Sequence, residues 1–353
     1  TRRHSLSTIL LIVLIGTICE CDGWDAMHEF AIQAPEEFLE ALQLPRSVPS
    51  ADTLRRVMGA VDPVAFEEAF RAWSQSLVLS TEGKLVCIDG KTVRGANGDG
   101  TSPLHLVHAW VRENGLLLGQ YATSIKSNEI TAIPKLIQLL ELKGAVVSID
   151  AMGCQKEIAK SIHEKGSDYI FGLKGNQPTL HREALESFDE STRIKLAASP
   201  DTFHEDVDKG HGRGELRRIW VQRDVQGLTN VNEWPNLNAL ILIESERTVK
   251  GVTTTERRTY MSSAMLPASA MAGLIRCHWH VENKLHWVLD VTFGEDYVRV
   301  TQRNAARNLA IIRRTALNLL NLVPGRSIVS RRRKAIQRWD FLLTVLTAGN
   351  PPN

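Results

Sequence analysis

The spacing of hydrophobic residues is helical in the first part of the chain. An apolar run at 9–15 is followed by helices predicted over 36–44, 50–61 and 62–73. Asp62-Pro63 is a typical helix start, because aspartate caps a helix and proline fits its first turn. We therefore predict an N-terminal helical domain over residues 1–78, which serves either DNA binding or support of the next domain.

From Lys84 onward the pattern becomes that of strands. Asn114-Gly115 is a strong hairpin signal between the second and third of them. The predicted order is three strands, helix, strand, helix, strand, which indicates an antiparallel start followed by parallel crossovers. We predict a mixed α/β sheet for residues 82–185. Its strands are expected at 85–89, 105–112, 116–123, 146–149 and 169–173, and its helices at 130–142 and 155–165.

The second half changes character twice. Residues 186–263 are rich in turns and predict an inserted β subdomain, and helical spacing returns over 264–323 as a second part of the core. Residues 324–353 are predicted to be a basic C-terminal tail. The strands are expected at 219–223, 239–245 and 257–262, and the helices at 276–291 and 305–320.

Composition adds little to this picture. The 353 residues are 43% hydrophobic and 23% charged, as in an ordinary globular protein, and the net charge is only +2. A nucleic-acid surface would therefore need local clusters of basic residues. The two clusters are Arg313-Arg314 and Arg331–Lys334. We interpret them as solvated faces, so they give only weak support for a nucleic-acid-binding surface.

The cysteines and the N-terminal apolar run bear on the compartment. Cys87 and Cys154 lie in or beside apolar segments, which favours buried thiols and a reducing compartment, and Cys19-x-Cys21 has no second pair for zinc. The run at 9–15 is too short to span a bilayer, so a buried helix is preferred over a secretory signal. The chain begins with Thr1, so we expect its start to be incomplete or processed.

Two predicted strands lead into an aspartate. Val146–Ile149 precedes Asp150, and Leu85–Ile88 precedes Asp89. Two acids at the ends of buried strands suggest a site for hard divalent cations. Each aspartate could equally cap the turn or helix that follows it, and the strands alone do not separate these interpretations.

A third acid lies in the stretch Cys277–Trp287. On a regular helix Glu282 would have His278 and His286 four residues to either side and Trp279 three residues before it. An ordinary carboxylate remains an alternative. A zinc site is less favoured, because His280 would point away from the other two histidines.

Several phrases together resemble one family. They are IDGKTVRG, KSNEI, SIDAMGCQ, LKGNQ, GHGR, HWHVENKLHWVLDVTFGED and RRTALNLL. The chain resembles, over nearly its whole length, the H-repeat-associated (ISAs-type) group of bacterial insertion-sequence DDE transposases. The resemblance implies an RNase H-like fold with a β insertion ahead of the Glu helix. It also implies that Asp89, Asp150 and Glu282 form the catalytic triad and bind two Mg²⁺ ions, for which Mn²⁺ can substitute.

The resemblance further implies metal-dependent cleavage and strand transfer on double-stranded DNA, at the terminal inverted repeats and at the target. It implies a homodimer in the synaptic complex, and a cytoplasmic, nucleoid-associated protein with no membrane partner. Alternatives are a catalytically silent DNA-binding relic and an RNase H-like nuclease acting on other substrates. A secreted protein is a weaker alternative.

One accessory feature of related enzymes is missing. The positions that often hold Tyr, Arg and Lys around the glutamate hold Ile275, His278 and Leu289. Trp279 and Trp287 are either core residues or stacking platforms for an unpaired base. The candidates for contacts with DNA are Lys91, Arg94, Lys174, Arg213, Arg276, His278, Trp279 and Lys284.

Overall fold

The computed structural model describes residues 4–96, 104–123, 129–210 and 213–350. The chain forms two compact units. The first unit consists of residues 1–79, 90–126 and 282–353, and the second of residues 80–89 and 127–281.

Helices and strands are numbered in chain order. The helices are α1 (Leu6–Ile18), α2 (Trp24–Ile32), α3 (Glu36–Ala41), α4 (Ala51–Ala60), α5 (Pro63–Ser76), α6 (Glu129–Gln138), α7 (Lys156–Glu164), α8 (Pro178–Glu186), α9 (Glu190–Ala197), α10 (Ala268–His278), α11 (Arg303–Leu322), α12 (Ile328–Gln337) and α13 (Trp339–Thr347). The strands are β1 (Leu85–Val93), β2 (Leu104–Val111), β3 (Leu116–Ala122), β4 (Val146–Ile149), β5 (Asp168–Leu173), β6 (Phe203–Gly210), β7 (Arg213–Gln222), β8 (Ala239–Val249) and β9 (Val252–Ser262).

The second unit contains a mixed sheet. Its strands lie in the order β1-β4-β5-β9-β8-β7-β6. The β1–β4 and β4–β5 pairs are parallel, whereas β9 pairs antiparallel with β5 and begins the antiparallel ladder of the insertion. Apolar residues on both faces of the parallel strands are buried, as expected where helices cover both sides.

The first unit contains the N-terminal helices, the β2–β3 hairpin and the C-terminal helices. The hairpin turns at Gly115, whose φ of 69° suits glycine. Ile12 and Val13 of α1 pack with Leu54 of α4 and Leu309 of α11. The prediction that residues 9–15 form a buried helix is confirmed. Among the residues that the structure describes, no helix combines the length and hydrophobicity needed to cross a bilayer.

The predicted fold class, an RNase H-like mixed α/β sheet with a β insertion and an N-terminal helical part, is confirmed. The insertion holds more structure than its turn-rich sequence suggests. The helices α8 and α9 precede four long antiparallel strands. We missed β6 because its alternating residues are mostly charged rather than apolar. The domain boundaries remain predictions.

The interpretation of the basic clusters as solvated faces is wrong for three arginines. Arg313 and Arg314 are buried on α11, and Arg332 is buried on α12. Arg332 donates to the backbone oxygens of Thr17 and Ile18, at 2.8 and 3.1 Å. Residues 328–347, predicted as part of a tail, are therefore two helices anchored by a buried guanidinium.

The predicted regular helix over 276–291 is also wrong in detail. The helix α10 ends at His278, and π-helical turns cover Glu282–His286 and Val288–Thr292. A π turn holds one more residue than an α turn, and buried residues such as Leu285 and Leu289 fit either spacing. The hydrophobic pattern therefore located the helical segment but not its winding.

Candidate active site

Two of the predicted acids lie side by side in the second unit. The parallel register pairs Ile88 of β1 with Ile149 of β4, so the next residues are Asp89 and Asp150. Adjacent strands are roughly 4.8 Å apart, which places the two residues within reach of one cation. Asp89 is half-buried and Asp150 is exposed. Contrary to prediction, β1 does not end at Asp89 but continues to Val93.

Asp150 also caps the turn that follows it. Its Oδ1 accepts hydrogen bonds from the backbone N–H groups of Met152 and Gly153, at 3.0 and 3.2 Å. Glycine is needed at 153 because a Cβ there would collide with the Ile149 side chain. The capping alternative is thus realised, but it uses Oδ1 and orients the carboxylate without requiring Oδ2.

The LKGNQ phrase supports the same turn. Asn176 Nδ2 donates to the backbone oxygen of Ala151 at 2.5 Å, and Gln177 Nε2 donates to that of Cys154 at 3.0 Å. No local pattern in the sequence predicts a role for these two amide side chains. They fix the backbone from which Asp150 projects.

His278 lies beside the same strand. Its Nδ1 is 2.9 Å from the hydroxyl of Ser148, which is buried two residues before Asp150 and therefore on the same face. Burial lowers the pKa of His278, although the nearby Asp150 carboxylate acts in the opposite direction. Burial therefore favours the neutral imidazole, and a contact of His278 with DNA phosphates remains a prediction. Sequence reasoning missed Ser148, whose signal was a hydroxyl within an apolar strand.

Glu282 belongs to the first unit and begins the first π-helical turn. Its side chain is exposed, and its Oε2 is 3.6 Å from Nδ1 of the buried His286. The predicted neighbour four residues later is therefore present. The ring of His286 lies 6.1 Å from that of His108. Membership of Asp89, Asp150 and Glu282 in one triad remains a prediction.

Lys91 is not placed to bind a phosphate. Its ammonium is buried and hydrogen-bonded to Asp290, and it lies 3.6 Å from Asp296 and 3.8 Å from Glu295. A buried cation engaged by carboxylates has no free face for DNA, so this candidate is withdrawn. Arg94 is exposed, with its Nε 3.8 Å from Asp296.

The other candidates differ in accessibility. Lys174 and Lys284 are exposed, and the Arg213 side chain lies outside the part of the chain that is described. Trp279 and Trp287 are 49% and 53% exposed, so the interpretation of these tryptophans as core residues is wrong. The guanidinium of Arg258 lies over the Trp279 ring, 4.7 Å from its centroid.

Comparison with known proteins decides the family. The family model described as Transposase DDE domain matches residues 80–319. The chain belongs to the DDE transposase family. A second model, described as DDE_Tnp_1-associated, matches residues 1–74 of this DDE transposase. The resemblance stated from the sequence is confirmed.

Curated relatives of the transposase have similar lengths. "Putative transposase YncI" of Escherichia coli O157:H7 is 38% identical over 341 residues, which cover 95% of this chain and 87% of that protein. "H repeat-associated putative transposase YhhI" of Escherichia coli K12 is 35% identical over 356 residues, covering 98% and 93%. A cryo-EM structure of the piggyBac transposase synaptic complex with hairpin DNA aligns with a TM-score of 0.44 and 11% identity, over 97% of this chain and 71% of that one.

Proposed function

We propose that this transposase catalyses metal-dependent phosphodiester cleavage and strand transfer at the ends of an insertion sequence. Asp89, Asp150 and Glu282 are the proposed ligands of Mg²⁺, with Mn²⁺ as a substitute. The observation that carries the proposal is the β1–β4 register, which makes Asp89 and Asp150 neighbours on parallel strands.

The residues present suit a hard divalent cation. Carboxylates on neighbouring strands repel each other, and a cation between them removes that repulsion. Carboxylate oxygens are also the ligands that Mg²⁺ prefers, and the cap on Oδ1 fixes the direction of Asp150. DDE transposases are in general dependent on divalent metal ions.

Each part of the proposed site has a separate role. Asp89, Asp150 and Glu282 would hold the metal ions, which would supply charge stabilisation at the scissile phosphate and a lower pKa for the attacking water or 3′ hydroxyl. Asp89 and Asp150 hold their carboxylates at fixed positions because both project from buried strands. His278 anchors the end of α10 to the strand that carries Asp150. No covalent bond between the enzyme and DNA is required.

The proposed substrates and partners follow from this chemistry. We propose double-stranded DNA, at both the terminal inverted repeats and the target, and a homodimer that joins two ends. The proposed location is the cytoplasm, in association with the nucleoid.

The test uses the full chain and duplexes taken from the DNA that flanks its gene. We expect nicking in Mg²⁺ or Mn²⁺, and a loss of more than about 100-fold in Asp89→Asn and Asp150→Asn, since even residues that only support a metal ligand contribute 10- to 100-fold. Calorimetric titration with Mn²⁺ should show weaker binding in both variants. Glu157→Gln is the control, since Glu157 is an exposed acid in the first turn of α7.

Three results would point elsewhere. Parental nicking by Asp150→Asn would remove that residue from the site. Binding to end DNA without a cleavage product in either metal would favour the silent relic. Equal cleavage of duplexes with and without the terminal repeats would favour a nuclease of another specificity.

A further inference from the structure

A polar groove lies within the second unit. It is formed by one face of β6–β9 and by the end of α10, and its volume is about 590 Å³. We name it the insertion groove. Two rows of paired residues cross its floor: His204, Ile219, Ile243 and Arg258 in one, and Asp206, Arg217, Ser245 and Glu256 in the other.

The insertion groove has more cationic donors than carboxylates. Five arginines and three acids line it. Arg217 pairs with Glu215 at 2.5 Å, and Arg258 pairs with Glu256 at 2.8 Å. Nη1 of Arg217 is buried, and it has no hydrogen-bond partner within the described part of the chain. The groove therefore suits a ligand that brings anionic oxygens.

Arg276 of α10 is held at the wall of this groove by two acids. Its Nη1 donates to Asp206 Oδ2 at 3.0 Å, and its Nη2 donates to Asp208 Oδ2 at 3.1 Å. The acids are two residues apart on β6 and therefore on the same face. Each nitrogen of the guanidinium fork meets one oxygen, which is also the way arginine binds a phosphate.

These contacts can be exchanged for others. Arg276, Asp206 and Asp208 are 49%, 45% and 54% exposed, so water competes with every bond. Ion pairs at such exposure contribute little stability, because solvation recovers most of what is lost on separation. A phosphate that approaches Arg276 can therefore displace the carboxylates at low cost.

We propose that the insertion groove binds a backbone phosphate of DNA through Arg276, and that Asp206 and Asp208 occupy this arginine when DNA is absent. The two aspartates act as an internal competitor that sets the affinity of the groove. The identity of the ligand as DNA rests on the proposed function. The competition itself depends only on the contacts of Arg276.

The test measures binding rather than cleavage. A fluorescently labelled duplex from the flanking DNA is titrated with the full chain at fixed salt, with EDTA present, and anisotropy gives Kd. The double variant Asp206→Asn/Asp208→Asn should bind about three- to tenfold more tightly than the parent, as expected for two exposed pairs removed. Arg276→Ala should bind more weakly.

The decisive measurement is the same double substitution made in Arg276→Ala. If the aspartates act by occupying Arg276, the gain falls to less than about twofold, because the two sites couple only through their contact. A gain that persists in full would mean general repulsion of DNA and would overturn the proposal. Unchanged affinity of the double variant in the parent background would also overturn it.

A matched control lies on residues that do not line the groove. Glu186 pairs with Arg182 at 3.4 Å and Glu190 is also exposed, and Glu186→Gln/Glu190→Gln removes the same charge without touching Arg276. This variant should bind like the parent, and an equal gain would overturn the proposal. Circular dichroism checks that each variant is folded. A parent that binds no DNA would instead contradict the proposed function.

Discussion

Ion pairs between arginines and acids are buried in the first unit but exposed to solvent in the β insertion. In the first unit, Arg314 and Glu295 are both 0% exposed. Arg314 forms two hydrogen bonds with Glu295, one of them 3.0 Å long, and its Nε donates to Nε2 of the buried His108 at 3.0 Å. In the insertion, Arg276 meets Asp206 and Asp208, and Arg218 meets Glu205 and Glu246, at positions where 34–54% of each acid side chain is exposed to solvent.

The difference lies in what replaces a lost partner. Burial by itself would raise the pKa of Glu295, but attraction and hydrogen bonds from Arg314, with further attraction from Arg313 and Lys91, lower it. Arg314 and Glu295 are fully buried, so solvent does not reach them in the folded chain and loss of one partner leaves the other as an uncompensated charge. In the insertion, water or an anionic ligand can replace an acid as the partner of an exposed arginine.

The largest expected effect comes from breaking the buried pair. Arg314→Ala should lower the free energy of unfolding by about 3–5 kcal/mol, because Glu295 is left as an uncompensated buried charge. Urea denaturation followed by circular dichroism measures the change. A loss of unfolding free energy below about 1 kcal/mol would mean that the buried pair contributes no more than a surface pair, and would contradict the difference between the two regions.

A change of pH tests His108, which accepts a hydrogen bond from Arg314 in the same buried network. Burial, together with the charge of Arg314, lowers the pKa of His108 well below the ordinary value of 6.5. As pH falls through 6.5 the unfolded chain takes up a proton at this residue and the folded chain does not, so stability is present above that pH and declines below it. The slope from His108 approaches about 1.4 kcal/mol per pH unit.

The variant His108→Gln keeps an acceptor for Arg314 and removes the titration. Between pH 6.5 and 5 its unfolding free energy should fall less steeply than that of the parent, as measured by urea titrations at several pH values. Some dependence should remain, because the pKa of His278 is also lowered. Identical slopes in parent and variant would contradict a neutral, buried His108.

The smallest effect is expected in the insertion. Arg218 touches Glu205, Glu244 and Glu246 across three strands, and it is 30% exposed. Arg218→Ala should cost about 1 kcal/mol or less, and the cost should shrink in high salt, since exposed pairs are screened. The measurement is urea denaturation at low and high salt. If Arg218→Ala lowered the unfolding free energy as much as Arg314→Ala, and independently of salt, the predicted difference between exposed and buried pairs would be wrong.

The sequence predicted those parts of the fold whose residues are spaced for burial. The strands around Asp89 and Asp150 were found because runs such as Val146–Ile149 are apolar throughout. Arg314 was misjudged because an arginine pair looks the same in sequence whether it is solvated or buried against an acid. Glu295, its partner, lies 19 residues away and carries no local signal.

The candidate site was predictable to a similar extent. Residue type and strand position identified the acids, and register then made two of them neighbours. The roles of Ser148 and Asn176 depend on hydrogen bonds to residues distant in sequence, which no local pattern encodes. The groove beside Arg276 was missed because β6 alternates charged residues, a pattern also typical of exposed loops.

The parallel pairing of β1 with β4 sets a waiting time during synthesis. Leu85 of β1 pairs with Val146 of β4. The edge of β1 that will pair with β4 must therefore remain unpaired while about 60 further residues are made. At 5–20 residues per second this takes roughly 3–12 s, during which an apolar strand has no partner there. The two carboxylates therefore come together late, and a nascent chain that stalls before residue 150 exposes a strand prone to pairing with another molecule.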